Sequence, residues 1–171
     1  MRFCEHNQIV VGAIPHDSMA AAVAGDFVSM KNFHHLVVKY VRAVGTAGED
    51  PTITITQATS VAGAGEKALN FTDIYEKEGT TNAAGGMAAI GTFTKTTQTA
   101  ANTYTSATSG ENEIMWCIEF DADALDVDNA FDCVRASIAD VGSGGDRYGY
   151  LEYILIESRW KQDPVPSAII D

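Results

Sequence analysis

An all-β fold, built as a two-sheet antiparallel sandwich or jelly roll, is what this sequence predicts, and three observations predict it. Pro51-Thr52-Ile53-Thr54-Ile55-Thr56-Gln57 alternates apolar and polar side chains with period two, the spacing that puts Ile53 and Ile55 on one face of a half-buried strand. Eight of the residues from Gly91 to Thr108 are threonine, a side chain that suits a pleated surface and competes poorly as helix. Short apolar segments recur along the chain between clusters of Gly, Asn, Asp and Ser, the punctuation of many short strands.

In chain order, residues 1–24 lack this rhythm and read as an extended N-terminal arm, residues 25–162 as the sandwich and residues 163–171 as a tail. Within the arm, His16-Asp17-Ser18-Met19-Ala20-Ala21-Ala22-Val23-Ala24 offers a capping residue and good helix formers before Gly25, so one or two helical turns are expected there. Strand signals follow at 26–30 and 36–44. The second of these is rich in β-branched residues and, joined to 51–57 by the turn residues of 45–51, reads as a hairpin. Further strands are expected at 67–75, 89–95, 103–107, 113–120, 131–139 and 149–158, with a short helical turn at 122–127. At most one or two short helices are expected in all, and no repeat of propeller or solenoid length is visible.

A chain of 171 residues with 46% hydrophobic and 20% charged residues has the usage of one ordinary globular domain, which excludes wholesale disorder, collagen and coiled coil. Its formal charge is −12. Phosphate backbones would be repelled, so no nucleic-acid partner is expected. The excess is uneven, with 7 basic and 9 acidic residues before position 111 and 4 against 14 from there on. No run of about 18 apolar residues exists, and Met1-Arg2-Phe3-Cys4-Glu5-His6 lacks the pattern of a signal peptide, so no membrane partner is expected and synthesis in the cytoplasm is. Three cysteines at distant spacings form no zinc or redox pattern, and Cys117 and Cys133 read as small core residues.

The motifs of catalysis are missing: no G-x-S-x-G elbow, no P-loop, no H-E-x-x-H and no dinucleotide fingerprint after a strand. No enzymatic activity and no catalytic residue are therefore expected. His34 and His35 are adjacent on a strand and point to opposite faces, so they cannot easily share a metal. Carboxylates at Asp121, Asp123, Asp126 and Asp128 are the hard oxygen donors that Ca²⁺ takes, but an EF-hand's central glycine and closing glutamate are absent and Leu125 and Val127 interrupt the run. The expectation is an acidic turn capping its own amides, with no cofactor, and calcium as the alternative. The glycine-rich stretches 62–65, 82–86 and 142–146 read as loops or hairpin tips. Apolar groups in both arms, Ile9, Val10, Val11 and Ile14 at the start and Ile169 and Ile170 at the end, would gain by docking either on their own subunit or on a neighbour, and are the candidate interface residues.

The segments 25–33, the strand to Val44, 51–57, 63–69, 120–127 and 131–135 together resemble a family of small tailed-bacteriophage proteins, the head decoration or capsid cement proteins, over about residues 9 to 160. That resemblance implies a non-enzymatic virion component of sandwich or jelly-roll fold on the capsid exterior. It implies binding to the major capsid protein, stabilisation of capsomer contacts and action as a homo-oligomer, a trimer in preference to a dimer. A tail or head–tail connector component is the neighbouring alternative. A carbohydrate-binding sandwich is the alternative of another class, and needs aromatics such as Tyr75, Tyr104, Tyr148 and Tyr150 on one exposed platform.

Overall fold

A computed structural model describes residues 3–17, 21–45, 48, 50–79, 93–105, 112–142, 148–160 and 165–170. Among them run strands β1 (Gln8–Asp17), β2 (Val23–Ala24), β3 (Val28–Ser29), β4 (Phe33–Arg42), β5 (Thr52–Ala58) and β6 (Lys67–Ala68). They are followed by β7 (Phe71–Glu78), β8 (Thr94–Ala101), β9 (Thr103–Thr105), β10 (Ile114–Asp121), β11 (Cys133–Ile138) and β12 (Tyr148–Ser158). The front sheet has the order β1-β12-β4-β10-β7-β8; the back sheet has the order β2-β11-β5-β6, with β3 also on β11 and β9 also on β5. Every pairing is antiparallel. The chain is a two-sheet sandwich.

Period two decides what fills the space between the sheets. Leu36, Val38 and Tyr40 of β4, Ile114, Trp116, Ile118 and Phe120 of β10, and Leu151, Tyr153 and Leu155 of β12 face Ile53 and Ile55 of β5 and Val134, Ala136 and Ile138 of β11 in one buried cluster. Trp116 is its largest member, edge-on to Tyr104 at 5.1 Å and tilted against Tyr40 at 5.8 Å. Cys117 and Cys133 are buried free thiols and Cys4 is exposed.

Three local expectations need correction. Strands β4 and β5 do not form a hairpin: β4 lies between β12 and β10 in the front sheet, while β5 pairs with β11 in the back sheet, so the connection between them crosses the sandwich. Turn residues mark where a strand ends but not which sheet the next one joins. Nor is a helix formed over 16–24 in its described part, since His16 and Asp17 end β1 and Val23 and Ala24 form β2; residues 18–20 lie outside the described ones. Finally, residues 8–17, expected to lack strand rhythm, form the edge strand beside β12, from Gln8 opposite Leu155 to Asp17 opposite Tyr148, and Val10 and Ala13 dock this part of the arm on its own core. Among the described residues the helical content is three single 3-10 turns, Phe3–Glu5, Ala122–Ala124 and Val127–Asn129.

A tyrosine ties the sheets where β11 changes partners. β2 pairs with β11 at Ser137 and Ile138, and β3 at Cys133 and Val134, leaving Ala136 between them. There the Ala136 N–H donates to the Tyr153 hydroxyl at 2.8 Å, and the Gly25 N–H donates to the Ala136 carbonyl at 2.9 Å. Burial pushes the Tyr153 phenol far above its ordinary pKa, so it stays a neutral hydroxyl in this seat. Gly25 is required by close approach: a Cβ would stand 2.6 Å from the Tyr153 oxygen and 2.9 Å from the Ala136 carbonyl oxygen.

Candidate interaction surface

β1 carries apolar side chains on both of its faces. Inward, Val10 and Ala13 pack on the core, and Gly12 lies so close over Tyr153 that a Cβ would meet the ring at 2.4 Å. Outward, Ile9, Val11 and Ile14 are 46%, 55% and 74% exposed, and their exposure follows from the same alternation that buries their neighbours. The registers of Ile9 opposite Ile154 and Val11 opposite Glu152 place the first two on the outer face of the front sheet. The register shifts between Val11 and Ala13 and between Ala13 and His16 let Gly12 sit inward against Tyr153.

The outer face that β1 borders is itself partly apolar. Val37, Val41, Met115, Tyr150, Ile154 and Ile156 are half-buried there, positions that sequence reading passed over. Their signal was present in the consecutive apolar residues of Leu36-Val37-Val38 and Ile154-Leu155-Ile156, which place apolar groups on both faces of a strand. Among them Lys39 Nζ meets Glu152 Oε2 at 2.9 Å. Burial alone would lower the Lys39 pKa, but hydrogen bonds with Glu152 and Tyr150 outweigh it and hold the ammonium above 10.5. Burial raises the Cys117 thiol on the same face, which keeps it protonated and inert.

The C-terminal segment presents the second pair of candidates. Val165 and Ala168 are buried in the core cluster, the Ala168 carbonyl accepts from the Ser29 N–H at 2.7 Å and the Val165 carbonyl from Gln8 Nε2 at 3.1 Å. Ile169 and Ile170 follow this anchor and are 51% and 68% exposed. Positions 163, 164 and 171 of the tail lie outside the described residues.

The acidic run does not converge. Asp121 ends β10 and accepts from His35 Nδ1 at 2.8 Å, while His35 Nε2 lies 3.4 Å from Glu119. Asp126 is held by Lys67 and by Asn129 Nδ2, and these bonds, that of Lys67 foremost, depress its carboxyl below the ordinary carboxylate value. The Asp126 N–H donates to Gln57 Oε1, tying the turn to β5. Asp123 and Asp128 sit in successive 3-10 turns, and among the described residues no group of three or more His, Cys, Asp or Glu side chains is placed to hold a metal ion. His34 lines an open cleft of about 360 Å³ together with Asp121, Ala122, Asp123, Glu157 and Arg159. At its rim Glu157, which lies opposite His34 without a change of register between β12 and β4, takes a left-handed φ of 59°, and its N–H donates to Asn7 Oδ1.

The aromatic platform is not assembled. Tyr104 is buried between the sheets, its hydroxyl donating to Glu76 at 2.8 Å. Tyr75 on β7 and Tyr150 on β12 share the outer face but are separated by β10 and β4, a spacing of roughly 14 Å. Tyr148 is exposed two residues before Tyr150 on β12, and Trp160 is exposed beyond the strand's other end. Of the glycine-rich stretches, 62–65 closes the β5–β6 hairpin, whereas 82–86 and most of 142–146 lie outside the described residues.

No protein-family model matches this chain, and no curated protein sequence does. Among solved structures, the chain is similar to one titled as the structure of the infectious bursal disease virus Gt strain, at 12% identity and a TM-score of 0.26, covering 90% of this chain and 41% of that one. It is also similar to the infectious bursal disease virus VP2 subviral particle, at 10% identity and a TM-score of 0.25, covering 96% of this chain and 45% of that one. The chain spans under half the length of each.

Proposed function

We propose that this chain is a non-enzymatic structural protein of a virion, a decoration or cement protein that binds the outer face of a phage head through the major capsid protein and acts as a homo-oligomer. The observation that carries this reading is the presentation of apolar side chains on rigid β framework: Ile9, Val11 and Ile14 on an edge strand, and Ile169 and Ile170 just beyond a docked tail. Both groups stand on backbone already fixed by the fold, so little ordering entropy is lost when they are covered. Two such groups per subunit, multiplied in an oligomer, give strong binding to a repeating lattice from individually weak contacts. The resemblance to phage decoration proteins in the segments from 25 to 135 points the same way.

The test is co-purification of the chain with intact virus-like particles. A fixed ratio to the major shell subunit, reduced by replacing Ile169 and Ile170 with serine, is the expected outcome. A chain that stays free of particles at every concentration overturns the reading.

A further inference from the structure

We infer that β1 is a self-pairing edge, through which two copies of this chain join antiparallel about a two-fold axis to make the two front sheets one continuous sheet. The inference stands on β1 alone and does not depend on a virion role.

An edge strand exposes a row of unsatisfied backbone N–H and C=O groups, and folds that remain single blunt it with charge, proline or bulges; in β1 the register shifts and Pro15 fall after Val11, so Gln8–Val11 is the stretch left unblunted. The two edges of the front sheet differ in this respect. β8 presents Thr94, Lys95, Thr96, Thr97, Gln98 and Thr99, with none of its residues buried. The first half of β1, Gln8–Val11, pairs with β12 in unbroken register and holds no charged side chain in a chain whose formal charge is −12; the strand's one carboxylate, Asp17, stands at its far end. Among the described residues its pairing is with β12, and no strand occupies its other edge.

Apolar residues on both faces are the pattern of a strand with neighbours on every side, not of an edge facing water. Three of them, Ile9, Val11 and Ile14, stand at the boundary where the sheet stops. The charge distribution selects the occupant. A second copy brings the same surplus of carboxylates, and an isologous contact places like groups close together across the axis, so it is tolerable only where the contact strand is neutral. Gln8–Val11 satisfies that requirement, and its own outer edge is the complementary template. One strand pair with three apolar side chains covers less than the roughly 800 Å² per partner of a stable dimer, so the joint is weak and concentration-dependent.

Sedimentation velocity on the full chain across a concentration series tests this, with Val11→Lys and Ile9→Lys compared against the unmodified protein. Both sites point outward, and unchanged melting curves confirm that the variants fold. The expected result is a monomer–dimer equilibrium in the unmodified chain, weakened at least about tenfold by either lysine. Single-cysteine variants along β1 in a Cys4→Ser background sharpen the reading, because a two-fold axis makes one residue its own partner. One position should then cross-link readily, and those two residues away should not. A monomer at every concentration, an oligomer indifferent to both lysines, or cross-linking with no preferred position would overturn the proposal.

Discussion

The two edges of the front sheet are made from opposite materials. β1 is anchored from below, its backbone at Gly12 resting on the Tyr153 ring and Val10 and Ala13 packed on the core. β8 rests on nothing buried of its own and is held by its ladder with β7, by Thr97 donating to Asp73 at 3.0 Å and by Lys95 meeting Asp73 at 2.9 Å. One edge is therefore fixed by packing and left apolar toward water, and the other is fixed by polar contacts and left polar. The difference teaches that the apolar groups β1 leaves exposed belong to an element already held by packing, which is the condition for presenting them to a partner at low entropic cost.

The largest test of this contrast is a change of volume at each edge. Gly12→Val puts branched carbons where even one methyl would stand 2.4 Å from the Tyr153 ring and 3.1 Å from Leu151, and overpacking of this kind should cost about 3 kcal/mol in urea-denaturation experiments. Ala100→Val on β8, a change of volume at an exposed position, should alter stability by less than about 0.5 kcal/mol. Equal effects at the two sites would show that β1 is no better anchored than β8.

A smaller effect separates the ring of Tyr153 from its hydroxyl. Tyr153→Phe keeps the surface under Gly12 but leaves the Ala136 N–H unpaired in the gap between β2 and β3, for an expected loss of about 1–2 kcal/mol. Amide exchange should rise at β2 and β11 while β1 stays protected. Loss of β1 protection as well would mean that the hydroxyl, not the ring, seats the edge strand.

What the residue order disclosed follows the same division. Strands with one wet and one dry face, such as Thr52–Ala58, were legible because alternation reports burial directly. β1 was illegible as a strand because Ile9, Val10 and Val11 are apolar in succession, which erases the alternation; only the lattice of pairs with β12 reveals it. The β4–β5 connection was misjudged because local turn chemistry is the same whether the next strand returns to its own sheet or crosses to the other. The acidic turn at 121–128 was legible as a turn, but its partners His35 and Lys67 come from distant positions in the chain, and no local spacing announces them. The outer-face residues Val37, Met115 and Ile154 were passed over because apolar residues in succession do not say which face of the strand each one takes.

Acid distinguishes the edges most gently. The Asp73 carboxyl sits below its ordinary value of 3.8 because Lys95, first, and Thr97 donate to it. A depressed carboxylate contributes stability that is fully present above the ordinary value and is lost as pH falls through the lower folded one. The pair is solvent-exposed, so the consequence is local: the β7–β8 ladder loosens while the sandwich stays folded. Hydrogen exchange followed from about pH 5 to about pH 3, corrected for intrinsic rates, should show protection of β8 amides falling while that of the Gln8–Ile14 amides of β1 holds, since that stretch carries no carboxylate to titrate. Asp73→Asn should abolish the pH dependence at β8 by removing the titrating group. A β1 edge that loosened in step with β8 over the same interval would mean that the two edges share one polar support, and the contrast between packing and charge would fail.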